Sequence, residues 1–130
     1  MHIKKILLVD DSPVARMLLK KCIGDNFEIF EAGSGEEGIK LLGSLSIDLI
    51  FLDLTMPGMN GLEVLVEMKK MKKDAKIIIL SADRQTSTIR QAIESGAVTV
   101  LKKPPRQEKI LNIISLIKQD ISPEVEGLNG

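Results

Sequence analysis

Short apolar runs alternate with amphipathic stretches along the whole chain, and this alternation most constrains the fold. The runs cover residues 6–9, 27–30, 49–52, 77–80 and 98–101. Four of the five lack the polar alternation of a half-exposed strand, as expected for parallel strands covered by helices on both faces. The run at 27–30 is the most mixed and predicts an edge strand. The pattern therefore predicts strands and helices in strict alternation.

Helix starts can be read between these runs. Ser12 precedes Pro13, which places a capping hydroxyl before a proline at the first helical position. Ser34 and Glu37 form a capping box in which Glu37 is expected to reach back to the Ser34 amide, and Asn60 caps the next helix in a similar way. Five strands and five helices predict a flavodoxin-like, doubly wound α/β fold. The expected parallel sheet has the strand order 2-1-3-4-5.

The composition limits which domain organisations and which classes of function are possible. The 130 residues predict one domain over residues 1–121, followed by a flexible tail at 122–130 that lacks an apolar period. Eighteen basic residues balance eighteen acidic ones, so no net field favours nucleic acid or a membrane. With three Phe and neither Trp nor Tyr, base-stacking and flavin sites are disfavoured. The single Cys22 and the lack of a long apolar stretch predict a cytoplasmic protein without a membrane span.

Three acidic residues follow two strands that the predicted order makes neighbours. Asp10 and Asp11 stand at the end of the first strand and Asp53 at the end of the third, at the point where ligands bind in such sheets. Two carboxylates roughly 5 Å apart repel by about 3 kcal/mol at an effective dielectric constant near 20. Three acids therefore need a cation or raised pKa values. Oxygen ligands favour Mg²⁺, and His2, the only histidine, is too remote for zinc.

Each acid taken alone has a simpler interpretation. Asp10 or Asp11 could cap the following helix, and Asp53 could be a turn residue. Ser81 follows the fourth strand, and Lys102 and Lys103 follow the fifth. These residues favour a functional site over the simpler interpretations of the acids. Acids, a hydroxyl and an ammonium at neighbouring strand ends match the needs of a phosphoryl group carried on a carboxylate. A metal, a lysine and a hydroxyl would each stabilise one phosphoryl oxygen.

In its motifs and their spacing, the chain resembles the response-regulator receiver domain, the CheY-like family, over residues 4–120. The matching segments are residues 6–12, residues 48–61, Ser81-Ala82, Gly96-Ala97 and Lys103-Pro104. The resemblance implies a stand-alone receiver in two-component signal transduction rather than an enzyme. It would accept a phosphoryl group from a sensor histidine kinase or a histidine phosphotransfer protein and then switch its binding to a downstream protein that the sequence does not identify.

The resemblance also implies a role for each matching residue. Asp53 corresponds to the phosphoacceptor, and Lys103 and Ser81 correspond to the groups that bind the phosphoryl oxygens and drive the switch. Mg²⁺, with Mn²⁺ as an alternative, would be held by Asp10, Asp11, Asp53 and the backbone carbonyl of Thr55. Thr55 and Asp83 flank the expected path of the hydrolytic water and would tune dephosphorylation. A cis peptide bond is expected between Lys103 and Pro104.

Three positions depart from the family pattern. Val100 stands three residues before Lys103, where an aromatic residue is usual, and a valine has no ring to move between buried and exposed states. Asn60 replaces a frequent Asp, and Pro105 replaces a common Phe. The route by which phosphorylation is transmitted therefore stays open. No DNA-binding domain follows, so direct DNA binding is not expected, and a monomer or weak homodimer is.

Three other classes of function fit the same residues less well. A Mg²⁺-dependent phosphatase with an aspartyl nucleophile usually has a second acid two residues later, where this chain has Thr55. A flavin or nucleotide carrier would need a glycine-rich loop where Asp10 and Asp11 stand. A receiver-shaped module that no longer accepts phosphate is disfavoured because all five site residues are present.

Overall fold

The sheet has the strand order that the sequence predicts. In the computed structural model, which describes residues 1–56, 58, 60–72 and 74–127, five parallel strands lie in the order β2-β1-β3-β4-β5. They are β1 (Lys5–Val9), β2 (Glu28–Ala32), β3 (Leu49–Asp53), β4 (Lys76–Ser81) and β5 (Thr99–Lys102). The flavodoxin-like fold is confirmed, with β2 at one edge. Asp53 lies at the end of β3 as predicted, and Ser81 is the last residue of β4 rather than the first residue after it.

Helices cover both faces of the sheet. They are α1 (Pro13–Ile23), α2 (Gly35–Ser44), α3 (Gly61–Met71), α4 (Thr86–Glu94) and α5 (Gln107–Lys118). Successive side chains of a strand point to opposite faces, so Leu7 and Val9 join the core beneath α2, α3 and α4, whereas Ile6 and Leu8 join the core beneath α1 and α5. Both faces of β1, β3 and β4 are thus buried, which explains their continuous apolar runs. No described helix is long and apolar enough to cross a membrane.

The predicted helix caps form, with one change of partner. Ser12 Oγ accepts from the Ala15 amide at 3.1 Å, and Asn60 Oδ1 accepts from the Leu62 amide at 2.9 Å. Ser34 Oγ accepts from the Glu37 amide at 3.1 Å. The Glu37 carboxylate accepts from the Gly33 amide at 3.1 Å, so the expected return bond to Ser34 is wrong by one residue. The cap still ties the β2–α2 loop to the first turn of α2.

The loop after β3 returns tightly on itself to begin α3. A Cβ atom placed on Gly61 would lie 2.4 Å from the Leu54 carbonyl oxygen, so only glycine fits at the start of this helix. This close approach holds Leu54, which follows Asp53, against the start of α3. Pro57 and Met59 of the same motif lie outside the described residues.

Candidate phosphoryl and metal site

Lys103 joins the two buried acids at the carboxyl end of the sheet. Its Nζ lies 2.8 Å from Asp53 Oδ2 and 2.9 Å from Asp10 Oδ2. The two carboxylate side chains are 2% and 4% exposed, and the lysine side chain is 27% exposed. The Lys103 amide donates to the Ser81 carbonyl at 3.0 Å, which extends the β4–β5 ladder. The expected cis bond to Pro104 is present.

Burial and the ion pair shift the pKa values of Asp53 and Lys103 in opposite directions. Burial raises the pKa of Asp53, and the nearby Asp10 charge adds to this, while the Lys103 ammonium and the Thr55 amide act in the opposite direction. Burial alone would lower the pKa of Lys103, but hydrogen bonds to Asp53 and Asp10 outweigh it and raise that pKa. The Lys103 ammonium is therefore held in its charged form beside Asp53, whose anionic form burial disfavours.

Asp10, Asp11 and Asp53 converge as the strand order predicts. Each offers a carboxylate oxygen, and these oxygens lie within 4.8 Å of one another. Asp11 is exposed, whereas the other two are buried. The oxygen-only donor set fits a hard divalent cation such as Mg²⁺, which is commonly held by one or two carboxylates and several waters. The exposed Asp11 leaves one side of the cluster open to water and to a phosphoryl group.

Backbone amides orient the two buried carboxylates. Asp10 Oδ1 accepts from the Ser12 amide at 2.9 Å, and Asp53 Oδ1 accepts from the Thr55 amide at 3.1 Å. In both residues the second oxygen, Oδ2, accepts from Lys103. The Thr55 side chain is exposed. Its amide thus contacts the site, while the predicted roles of its carbonyl and side chain stay predictions.

Arg16 supports the site from α1, and no sequence pattern singled it out. Its guanidinium donates to the Asp10 carbonyl and, through Nε, to Glu31 Oε1 at 3.0 Å. Although burial would raise the pKa of Glu31, hydrogen bonds from Arg16 and Lys20 lower it. Arg16 therefore ties the end of β1 to the end of β2. The only signal in the sequence is a basic residue one helical turn after the cap, which is too common to be informative.

Ser81 lies in the site but its hydroxyl faces its own loop. The side chain is fully buried, and Oγ donates to the Asp83 carbonyl at 3.1 Å and accepts from the Asp83 amide at 3.0 Å. Within the described part of the chain, no hydrogen bond joins it to Asp53. A hydroxyl has a single proton to donate, so this proton is already used.

Asp83 has a structural contact that the sequence reasoning did not predict. Its side chain accepts from the Gln85 amide and from Thr88 Oγ1, both at 2.9 Å, and these bonds lower its pKa. The Asp83 side chain therefore ties the loop before α4 to the first turn of that helix. The bond to Gln85 could have been predicted, because Asp side chains often accept from the amide two residues later. Its predicted effect on dephosphorylation stays a prediction.

Val100 is buried in the middle of β5, opposite Ile79 of β4. Its carbonyl accepts from the Arg84 guanidinium at 3.3 Å. Arg84 belongs to the loop that carries Asp83, so Val100 is connected to the β4–α4 loop through its backbone carbonyl.

Comparison with known proteins agrees with this geometry. The family model described as a response regulator receiver domain matches residues 6–115. The chain belongs to the response-regulator receiver family. The chemotaxis protein CheY of Thermotoga maritima is 33% identical over 118 residues, which cover 89% of this chain and 98% of that protein. The nitrate/nitrite response regulator protein NarL of Escherichia coli K12 is 38% identical over 112 residues, 84% of this chain, and the match spans about half (52%) of NarL.

A solved structure shares the fold of this receiver domain. The CheX-CheY-BeF3-Mg²⁺ complex of Borrelia burgdorferi contains a chain that superimposes with a TM-score of 0.82 at 29% identity, covering 88% of this chain and 89% of that one. Receiver domains act in two-component signalling and are signalling domains rather than classical enzymes. The three acids, the hydroxyl and the lysine thus lie at the carboxyl edge of a receiver-domain sheet.

Proposed function

We propose that this receiver domain accepts a phosphoryl group on Asp53 from a phosphohistidine of a sensor histidine kinase or a histidine phosphotransfer protein. The observation that carries the proposal is the Lys103 ammonium held between Asp53 and Asp10 at 2.8 and 2.9 Å. An ammonium at this place can bind an oxygen of a phosphoryl group on Asp53 with no more than a small movement. The product would change the binding of a downstream protein.

The transfer forms one bond and breaks another. An Asp53 carboxylate oxygen forms the new bond to phosphorus while the bond between phosphorus and the donor imidazole nitrogen breaks, and the imidazole leaves with the electron pair. Lys103 stabilises the charge on the transferring oxygens, and the Thr55 amide keeps the carboxylate oriented. The acyl phosphate that results is a mixed anhydride, which water hydrolyses to restore the carboxylate.

Divalent metal binding at the acidic cluster is part of the same proposal. Asp10, Asp11 and Asp53 supply the carboxylate oxygens that Mg²⁺ or Mn²⁺ prefers. Bound metal would screen the charge between the attacking carboxylate and the incoming phosphoryl oxygens. The similar structure from Borrelia burgdorferi is a complex with BeF3 and Mg²⁺, which supports a metal-assisted phosphoryl site in this family. Without the metal, Lys103 alone offsets the two buried charges.

Incubation with labelled acetyl phosphate and Mg²⁺ tests the proposal directly. The wild-type protein and an Asp25→Asn control, altered at an exposed acid between α1 and β2, should incorporate label that hydroxylamine removes. Asp53→Asn should incorporate none, and EDTA should abolish labelling of the wild type. Equal labelling of Asp53→Asn and wild type would refute the assignment of Asp53.

The remaining expectations concern the protein as a whole. A monomer or weak homodimer in the cytoplasm, without direct DNA binding, stays the expectation from sequence. The neutral charge balance supports the absence of a nucleic-acid surface. Size-exclusion chromatography with light scattering, with and without BeF₃⁻, would measure the oligomeric state.

A further inference from the structure

Residues 122–127, here called the strap, follow α5 in the chain and contact side chains of both α5 and α4. The strap contains no helix or strand, but side chains of both helices hold it. Lys109 Nζ of α5 lies 2.7 Å from Glu126 Oε1, and Thr86 Oγ1 of α4 donates to the Gly127 carbonyl at 3.1 Å. The Arg84 guanidinium donates to the Glu126 carbonyl at 3.4 Å. The strap thus connects α5 with α4 and the loop before it.

Apolar contacts hold the same segment. Val125 is half-buried and packs against the core cluster that contains Ile89 and Val100. Gly127 has a φ of +90°, and a Cβ atom there would lie 2.8 Å from Ile89 Cδ1. The backbone of the strap therefore lies directly on α4. The Lys109 ammonium also lowers the pKa of Glu126, so this carboxylate is ionised at neutral pH.

Arg84 connects the strap to the switch hydroxyl. Its guanidinium bonds both the Glu126 carbonyl and the Val100 carbonyl, and its backbone follows Asp83 directly. The Asp83 carbonyl holds the single proton of Ser81 Oγ. For Ser81 to donate to a phosphoryl oxygen on Asp53, that bond must break, because the hydroxyl has no second proton. The loop that positions Arg84 and Thr86 would then lose an anchor at its start.

We propose that phosphorylation of Asp53 releases the strap from α4 and Lys109 through the Ser81–Asp83–Arg84 connection. This inference rests on the proposed function, since the phosphoryl group is the input. The strap favours the arrangement in which Ser81 bonds Asp83, and its release uncovers the surface between α4 and α5. Val100 stands at the usual aromatic position and has no ring to move, so the position of the strap reports whether Asp53 is phosphorylated. Because the two equilibria are linked, a substitution that weakens the contacts of the strap must favour the phosphorylated arrangement by the same free energy.

Amide NMR of the full chain with BeF₃⁻ and Mg²⁺, a stable stand-in for the phosphoryl group, tests the release. Signals of Asp53 and Ser81 should shift, and those of Val125 and Glu126 should move toward random-coil positions with faster hydrogen exchange. A shift at Asp53 and Ser81 with unchanged strap signals would overturn the strap proposal and leave the proposed function standing. No change at Asp53 would remove the input and overturn both.

The affinity for BeF₃⁻ at saturating Mg²⁺ tests the linkage. Glu126→Gln removes an exposed ion pair and should tighten binding by up to about fivefold. Val125→Ser removes a half-buried apolar contact and should tighten it by about three- to tenfold. Glu108→Gln, which breaks the exposed Arg106 pair on the same helix, is the matched control and should leave the affinity unchanged. Wild-type affinity in both strap variants would overturn the proposal.

Discussion

Replacing Lys103 with Met should destabilise the metal-free protein and, at the same time, strengthen its binding of Mg²⁺. The substitution keeps the apolar stem of the side chain but removes the ammonium that bonds Asp10 and Asp53. Two carboxylates that are almost fully buried are then left without a compensating cation. A dication that enters the acidic cluster would no longer meet a positive charge beside it.

The geometry sets the magnitude of the loss. At 2.8 and 2.9 Å, each ammonium–carboxylate contact is worth about 6 kcal/mol of attraction at an effective dielectric constant near 20, before desolvation is subtracted. Removing one partner of a buried ion pair typically costs about 3–5 kcal/mol. Because Lys103 is 27% exposed, water screens part of its charge, and we expect a loss of about 2–3 kcal/mol.

Urea unfolding at pH 7 in EDTA measures this loss, with Lys102→Met as the matched control. Lys102 is the neighbouring exposed residue, so its variant should stay within about 0.5 kcal/mol of wild type. Mg²⁺ at a hundred times its dissociation constant adds about 2.7 kcal/mol to any protein that binds it only when folded. Saturating Mg²⁺ should therefore restore most of the stability of Lys103→Met.

Two results would refute the reasoning. If Lys103→Met is as stable as Lys102→Met in EDTA, the buried carboxylates do not depend on the ammonium. If Mg²⁺ binds Lys103→Met no more tightly than wild type, then lysine and metal do not share the same carboxylates. Isothermal titration with Mg²⁺ gives the second comparison without relying on unfolding.

Two further predictions follow from the described contacts. The pKa of Lys103 is raised above 10.5 in the folded state. The stabilisation by its ammonium is therefore complete below the pKa of the unfolded state and is lost as pH rises through the pKa of the folded state. The difference in unfolding free energy between wild type and Lys103→Met should stay constant from about pH 7 to 10 and narrow above that, which urea unfolding in EDTA measures. Gly61→Ala would place a Cβ 2.4 Å from the Leu54 carbonyl oxygen and should cost about 2–4 kcal/mol, whereas Gly43→Ala, in ordinary contact with Met71 on an exposed helical position, should stabilise α2 by about 0.5–1 kcal/mol. Thermal unfolding of both variants decides this comparison, and equal midpoints would contradict the steric account.

The meeting of Asp10, Asp11 and Asp53 could be predicted because it depends only on topology. Parallel strands end at one edge, and the order 2-1-3-4-5 makes the first and third strands neighbours. Each acid needs only to stand at the end of its strand for the carboxylates to converge. The pairing of Lys103 with two of them follows from the same edge and from opposite charge.

The side-chain directions in the loops could not be predicted in this way. Whether Ser81 Oγ bonds Asp53 or Asp83 depends on the turn between β4 and α4, and several turns would satisfy the same sequence. The contacts of the strap could not be predicted either, because the apolar residues of 122–127 show no periodic spacing that would mark a buried face. Its flexibility and the boundary at residue 121 stay predictions, and residues 128–130 lie outside the described part of the chain.

The backbone around Ser81 narrows the ways in which a signal can leave the site. The Ser81 carbonyl accepts from the Lys103 amide at 3.0 Å, and the Leu54 amide bonds the Leu80 carbonyl at 3.0 Å, so the ladder holds the end of β4 on both sides. Lys103 already contacts Asp53, and Val100 is buried without a ring to move. The group with freedom to change partner is therefore the Ser81 hydroxyl. A change at that hydroxyl reaches the rest of the molecule through Asp83 and the loop to α4, before it can reach β5.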